Sequence, residues 1–357
     1  MTVIGPGATI GILGGGQLGR MLAIAAARLG YRCHIFAPEA EAPAADVSAA
    51  LTRAAWDDSD ALRAFADAVD VVTLEFENVP VATVNLLATL KPVRPGARAL
   101  QVTQDRMAEK DFANSLGLAT APYRAVNNAD ELSAAFNDFG ASAILKTRRM
   151  GYDGKGQVRI TEPKGIPIAL TIIGHGNGIL EGFVDFAFEL SIVGARGADG
   201  AFHAFDAVHN RHENGILRES RVPAQAPDSV VDAATDAARR IADALDYVGV
   251  LAVEFFVLKD GRIAVNEIAP RVHNSGHWTI DACRTDQFEQ HIRAICGLPL
   301  GATDRHSDAV MENLLGDDLD AWPSLLAEPA VKLHLYGKRE ARPGRKMGHV
   351  TRLSPRR

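Results

Sequence analysis

Six residues near the start, Gly14-Gly15-Gly16-Gln17-Leu18-Gly19, constrain this chain more than any other stretch. They follow an apolar segment, Ala8 to Leu13, that reads as a strand. They precede Arg20 to Leu29, which reads as a helix closed by Gly30. A second strand, Arg32 to Phe36, stops at Pro38; a helix follows over Asp57 to Ala68, then a strand over Val71 to Phe76. Strands that alternate with helices build a parallel sheet covered on both faces. The expected fold class is therefore α/β, with a doubly wound parallel-sheet domain at the N-terminus. Breakers crowd Lys91-Pro92-Val93-Arg94-Pro95-Gly96, and a domain boundary is placed there.

The chemistry of the glycine turn leaves three readings open. Bare backbone amides at a helix N-terminus attract an anion. A dinucleotide would also need an acid at the end of the second strand to hold a ribose. That strand ends Ile35-Phe36-Ala37-Pro38 and Glu39 comes late, which disfavours NAD. A substrate phosphate or amide group at Gly15, Gly16, Gln17 and Leu18, or a purely structural turn, remains.

At 357 residues the chain has length for two or three domains. Its formal charge of −6 argues against nucleic acid as the main partner. No apolar run reaches the roughly 18 residues of a membrane span, and the first nine residues lack the basic start of a secretion signal. Cys33, Cys283 and Cys296 form no CxxC pair and read as buried, reduced thiols, so a cytoplasmic setting is expected.

Beyond the boundary a helix is expected at Asp105 to Leu116. Strands are expected at Ile144 to Thr147 and Val158 to Ile160, then a long helix at Val230 to Leu245 and strands at Val250 to Leu258 and Arg262 to Glu267. The last two carry the sharpest inference. Lys259-Asp260-Gly261-Arg262 is a hairpin turn, and with Asp260-Gly261 as a two-residue loop Glu254 falls opposite Glu267. An odd-length loop would break that pairing. Ala252, Phe256 and Val265 would share the face. Two like charges opposed on an apolar surface destabilise a sheet, and burying either unpaired is costly. A hard cation between them resolves the conflict, and Mg²⁺ held by two carboxylates plus substrate phosphates fits, with Mn²⁺ possible in its place. Asn266 adds an oxygen. The alternative is a basic partner such as Arg271.

Lys146 and the segment Gly151-Tyr152-Asp153-Gly154-Lys155-Gly156-Gln157 lie between two short strands. Three glycines let a backbone approach polyphosphate, and the lysines supply charge. The spacing is not that of a Walker loop. The segment reads as a mobile flap over ATP phosphates, or as a surface hairpin. The tail from Gly337 to Arg357 is strongly basic, and Pro343-Gly344 with Gly348 suggests an ordered loop suited to a sugar phosphate. The pairs His209/His212 and His273/His277 lack cysteines, and zinc is disfavoured.

Taken together, the flap, Glu181-Gly182-Phe183-Val184, Glu189 and the Glu254/Glu267 pair resemble the ATP-grasp ligases. Finer motifs narrow the resemblance to the N5-carboxyaminoimidazole ribonucleotide synthetases of purine biosynthesis. These are Ile12 to Met21, Glu75-Phe76-Glu77-Asn78, Gly151 to Gln157, Asn266 to His277 and Arg342 to His349. The resemblance covers nearly the whole chain. It implies an ATP-grasp fold with an α+β lid, divided as residues 1–97, 98–178 and 179–357, and it suggests a homodimer.

The resemblance also implies roles. Arg106, Lys146 and Gly151 to Gln157 would hold ATP phosphates. Glu181, Gly182, Phe183 and Val184 would read adenine through backbone groups, Glu189 would bind the ribose, and His212 would lie beside the nucleotide. Glu254 and Glu267 would carry the metal, with Asn266 adjacent. The ribonucleotide would meet Gly15, Gly16, Gln17, Leu18, Glu75, Tyr152, Asp153, Lys338, Arg345 and Lys346. Arg271, His273, Asn274 and Lys146 would serve the reacting centre, with His273 orienting bicarbonate or managing a proton.

The implied reaction joins bicarbonate to the amine of 5-aminoimidazole ribonucleotide through carboxyphosphate, with ATP split to ADP and phosphate. Two alternatives stand beside it: another ATP-grasp ligase, such as a formate-dependent glycinamide ribonucleotide transformylase, and a nucleotide-binding module without turnover. Intact Lys146, Glu254, Glu267 and Arg271 count against the second alternative.

Overall fold

The computed structural model describes residues 2–140, 142–151, 154–173 and 177–357. Its N-terminal part is a four-stranded parallel sheet in the order Ala50–Thr52, Arg32–Phe36, Thr9–Leu13, Val71–Leu74. Ile10, Ile12, Ile35 and Val71 are fully buried, as strands covered on both faces require. The first helix, Gln17–Arg28, begins three residues earlier than expected because the second half of the glycine turn is its first turn. It ends as expected: Gly30 is left-handed (φ +81°), and the amides of Gly30 and Tyr31 donate to the carbonyls of Ala27 and Ala26. The breaker-rich run is tied to the sheet edge, with Val72 N donating to Pro92 O and Arg94 N to Val72 O, both at 2.9 Å.

The helix Arg106–Ser115 follows, capped by Asp105, whose carboxylate accepts from Met107 N at 2.9 Å. A small antiparallel sheet then runs Tyr123–Val126, Gly178–Gly182, Ala143–Thr147, Gln157–Ile160. Helices Ala129–Phe139 and Ile166–Ile173 pack on it through Leu132, Phe136, Leu145, Leu170 and Leu180. Residues alternate across a strand, so Lys146 and Glu181 lie on the opposite face from Leu145 and Leu180.

The remaining sheet has nine strands and is antiparallel throughout. Its path is Ile263–Ala269, Gly249–Leu258, Phe186–Arg196, Val208–Glu213, Ile216–Val222, Ser307–Leu315, Lys346–Pro355, Val331–Leu335, with Phe202–Ala204 beside Phe186–Arg196. One face packs on helix Asp228–Ala244. The other meets helix Gln287–Ile295, against which Gln17–Arg28 of the first domain is seated. The basic tail is not wholly the loop that its glycines suggested. Lys346–Pro355 is an interior strand, and Gly348 is there because a Cβ would lie 2.6 Å from His334 O. Among the described residues no helix is long and apolar enough to cross a membrane.

Candidate active site

Glu254 does face Glu267 across the hairpin, but by a different route from the expected one. The loop has three residues, Lys259-Asp260-Gly261. Gly261 takes φ +84°, and Leu258 N donates to Arg262 O at 2.8 Å. That odd length pairs Phe256 with Ala264 and Phe255 with Val265. A bulge at Asn266 then inserts one residue and brings Glu267 back opposite Glu254. Val265 therefore does not share the carboxylate face but is buried in the core beside Phe255.

The bulge is held from outside. Along an edge strand the outward amides should be an even number of residues apart. Here they belong to Val265 and Ile268, three apart, because Asn266 intervenes. Val265 N donates to Ala119 O at 2.7 Å, and Ile268 N donates to Glu109 Oε1 at 2.6 Å. Glu109 is 3% exposed; burial, then the neighbouring Glu267, pushes its carboxyl up to about 8.

Around the pair the charges are arranged by sign. Burial pushes the Glu254 carboxyl up to about 7; His212 opposes the rise, and Glu267 and Glu189 add to it. His212 Nδ1 lies 2.8 Å from Glu189 Oε2. Burial disfavours its charged form, yet Glu189 and Glu254 outweigh that and hold the ring above its ordinary value. His273 Nε2 sits 3.6 Å from Glu254 Oε1, and Arg106 approaches Glu267 at 3.9 Å. Burial, then Arg271 and Lys346, push His273 well below its ordinary value. The His273 backbone is clamped by one amide side chain: Gln287 Oε1 accepts its N–H at 2.9 Å, and Gln287 Nε2 donates to its carbonyl at 2.7 Å. Asn274 is buried beside it, and its side-chain amide has no partner among the described residues. Arg271 is held by Glu77 at 2.6 Å.

Lys146 is buried and donates to Glu181 Oε2 at 2.8 Å, while Lys110 Nζ lies 3.4 Å from the other Glu181 oxygen. Burial works against the Glu181 charge, but the two lysines outweigh it and hold the carboxyl down to about 2. Glu181 is thus a counter-charge for two lysines. The amides of Gly182 and Phe183 donate to Pro122 O and Ser142 O, so any base reading there falls to other backbone groups, toward Val184. Phe183 is exposed and lies beneath the Arg159 guanidinium, 4.1 Å from its ring centre.

In the flap, Thr147 N donates to Gly156 O at 2.8 Å, and Gln157 pairs with Lys146. Gly151 lies against Thr147 and Arg106, and Lys155 follows Gly154 into the return strand. The flap tip touches the turn Asn214-Gly215, where a Cβ on Gly154 would come within 2.7 Å of Asn214 O. Tyr152 and Asp153 lie outside the described residues.

The N-terminal glycine turn serves an internal anion. Gly16 N and Gly19 N donate to the buried Glu75 carboxylate at 2.8 and 3.1 Å, and a Cβ on Gly14 would lie 2.5 Å from Glu75 Oε1. Those two amides are therefore engaged by Glu75, the structural role that the sequence reading leaves open beside a substrate phosphate or amide group at Gly15 to Leu18. Gly15 is backed against Ala42, and the Leu18 side chain packs into the core, which leaves Gly16 and Gln17 half-exposed. Burial raises the Glu75 carboxyl above its ordinary range, with both amides and Arg271 opposing.

The basic groups of the tail converge on this end. Lys338 Nζ donates to Lys346 O at 2.6 Å; burial, then Arg345 and Lys346, bring its ammonium down to about 8. Arg345 reaches Glu41 at 2.8 Å. Lys346 is close enough to Glu254, His212 and His273 to influence all three. Sequence reading missed Glu109, Lys110 and Gln287. The helix spacing Arg106, Glu109, Lys110, at i, i+3 and i+4, was the available signal for the first two.

Comparison with known proteins gives this geometry a family. Residues 111–288 match the ATP-grasp domain, 7–104 the ribonucleotide synthetase preATP-grasp domain, and 309–357 the phosphoribosylaminoimidazole carboxylase C-terminal domain. The N5-carboxyaminoimidazole ribonucleotide synthase of Brucella melitensis is 54% identical over 357 residues, covering 99% of each chain. An ADP complex of an N5-carboxyaminoimidazole ribonucleotide synthetase superposes with TM-score 0.96 at 43% identity, covering 99% of this chain and 94% of that one. The Aspergillus clavatus N5-carboxyaminoimidazole synthase, in complex with ADP and 5-aminoimidazole ribonucleotide, gives TM-score 0.92 at 32% identity, covering 98% and 94%. This chain belongs to the N5-carboxyaminoimidazole ribonucleotide synthases, ATP-dependent ligases built on the ATP-grasp fold.

Proposed function

We infer that this enzyme carboxylates 5-aminoimidazole ribonucleotide with bicarbonate to N5-carboxyaminoimidazole ribonucleotide, splitting ATP to ADP and phosphate through carboxyphosphate. The observation that carries the reading is the opposed Glu254/Glu267 pair, ringed by Arg106, Arg271 and His273 and open toward the basic tail. Bicarbonate is a poor electrophile because hydroxide leaves badly, and phosphorylation replaces that leaving group. Arg106 and Lys146 draw the triphosphate in and offset charge growing on the transferred phosphoryl group. Arg271, braced by Glu77, presents its guanidinium to the anionic intermediate. The flap and the Asn214-Gly215 turn limit water, which would hydrolyse carboxyphosphate. Lys338, Arg345 and Lys346 hold the sugar phosphate, and Glu75 lies beside them.

Mg²⁺ fits this donor set. Two opposed carboxylates with no cysteine beside them are hard oxygen donors, the kind that Mg²⁺ takes together with substrate phosphates. Glu254 and Glu267 would hold it. Bound there, it would neutralise charge on the β- and γ-phosphates. A cytoplasmic homodimer is the proposed setting.

The test is ADP release from Mg-ATP with 5-aminoimidazole ribonucleotide, with and without bicarbonate, in CO₂-depleted buffer. Bicarbonate-dependent release with loss of the free aromatic amine is expected. Release without amine loss would indicate a different acceptor and remove the reading.

A further inference from the structure

Behind His273 runs a chain of buried polar side chains. His273 Nδ1 lies 2.9 Å from Ser275 Oγ, which lies 2.8 Å from Ser191 Oγ. Asn210 Nδ2 donates to Ser191 Oγ at 2.9 Å, and Ser220 Oγ donates to Asn210 Oδ1 at 2.8 Å. The four residues come from strands Phe186–Arg196, Val208–Glu213 and Ile216–Val222 and from the loop after Ile263–Ala269. Ser191, Ser220 and Ser275 are wholly buried and Asn210 is 4% exposed. Hydroxyls and amides are retained in a protein interior only when hydrogen-bonded, and a connected set of them orients whatever terminates it.

The chain has a direction, set at the imidazole. Ser275 N donates to His273 Nδ1 at 3.3 Å, so Nδ1 is an acceptor. With Nδ1 accepting, the remaining protons fall in one order. Ser275 donates to Nδ1, Ser191 to Ser275, Asn210 to Ser191 and Ser220 to Asn210. A hydroxyl has a single proton to donate, so Ser275, giving its own to Nδ1, can only accept from Ser191, and Ser191 in turn only from Asn210.

We propose that Ser275, Ser191, Asn210 and Ser220 are positioning residues that hold neutral His273 with its proton on Nε2, so that it meets the reacting centre as a hydrogen-bond donor. In that form His273 orients an oxygen of bicarbonate or carboxyphosphate and does not take the amine proton. What it donates to rests on the carboxylation reading; the tautomer does not.

The experiment is long-range ¹⁵N–¹H correlation NMR on the full-length, ¹⁵N-histidine-labelled protein without substrates, with the His273→Gln spectrum identifying the signal. The expected result is a pyridine-like Nδ1 and a pyrrole-like Nε2. In Ser191→Ala the two signals should move toward an exchange average. The kcat for bicarbonate-dependent ADP formation should fall roughly five- to tenfold with KM for ATP unchanged. Ser275→Ala keeps the backbone donor and should give the smaller change of tautomer. A wild-type proton on Nδ1, or a Ser191→Ala protein with unaltered signals and kcat, overturns the proposal. Bicarbonate-independent turnover with the proton on Nε2 would support the tautomer assignment while removing the carboxylation reading.

Discussion

Individual side chains at the site carry opposite obligations. Glu254 and Glu267 face each other although they repel, a conflict that the proposed cation would relieve alongside His212 and Arg106. Glu267→Ala should lower Mg-dependent ADP formation by at least about a thousandfold while the circular dichroism spectrum is unchanged, since on the proposed assignment Glu267 would be a carboxylate ligand of Mg²⁺. Retained turnover with normal Mg²⁺ dependence would remove the metal assignment. Glu109 works one step back, through Ile268 N. Glu109→Ala leaves that amide unsatisfied and should cost about 1–3 kcal/mol in urea unfolding. It should also raise the Mg²⁺ concentration for half-maximal rate, and Glu109→Gln, which keeps an acceptor oxygen, should restore most of both. Lys338 has its ammonium lowered to about 8 by burial and by its cationic neighbours, so its charge is lost as pH rises through that value. The KM for the ribonucleotide should therefore climb above about pH 8, and Lys338→Arg, charged throughout, should flatten the climb. A wild-type KM that is flat to pH 9.5 or so would contradict this.

Among the elements, the hairpin shows how a correct conclusion can rest on an incomplete premise. Glu254 opposite Glu267 was readable from the Asp260-Gly261 turn. The three-residue loop and the compensating bulge at Asn266 were not, because each shifts the register by one residue and the two shifts cancel. At the glycine turn the pattern left a ligand group and a structural role open, and Glu75 of the same chain, 59 residues from Gly16, accepts from its amide. A local pattern states what a turn can bind and is silent on what the fold delivers to it. The last strand, Lys346–Pro355, was masked by Gly348, which reads as a loop residue until the His334 carbonyl is found against it. Gly348→Ala should lower stability by about 1–3 kcal/mol, read as a lower urea midpoint at constant m-value. It should also raise the ribonucleotide KM, because Lys346 begins the same strand.

For the whole molecule, the N-terminal sheet and the nine-stranded sheet are stitched by one imidazole. His291 Nε2 lies 2.7 Å from Thr73 Oγ1, and Val250 N donates to His291 Nδ1 at 3.0 Å. The ring is wholly buried, and burial lowers it from 6.5 to about 3. A base with a lowered native value takes up its proton first in the unfolded chain, so stability falls as pH drops from about 6.5 toward 3. Urea midpoints measured across that range should decline, and His291→Gln should be less stable at neutral pH with a shallower decline. An equal slope in both proteins would assign the acid sensitivity elsewhere.

Residue order was enough to establish the alternating parallel-sheet opening, the helix limits marked by Asp105 and Gly30, the opposed carboxylates, and the family through its motifs. These follow from periodicity, caps and turns, which act over a few residues. Their signals survive without knowledge of the rest of the chain. The seating of Glu75 in the glycine turn, the pinning of the bulge by Glu109, the pairing of Lys110 and Lys146 on Glu181, and the polar chain behind His273 appear only in three dimensions. Each joins residues from separate elements, most of them far apart in the chain. The energy that places them is that of burying polar groups without water, a quantity no local stretch of sequence contains.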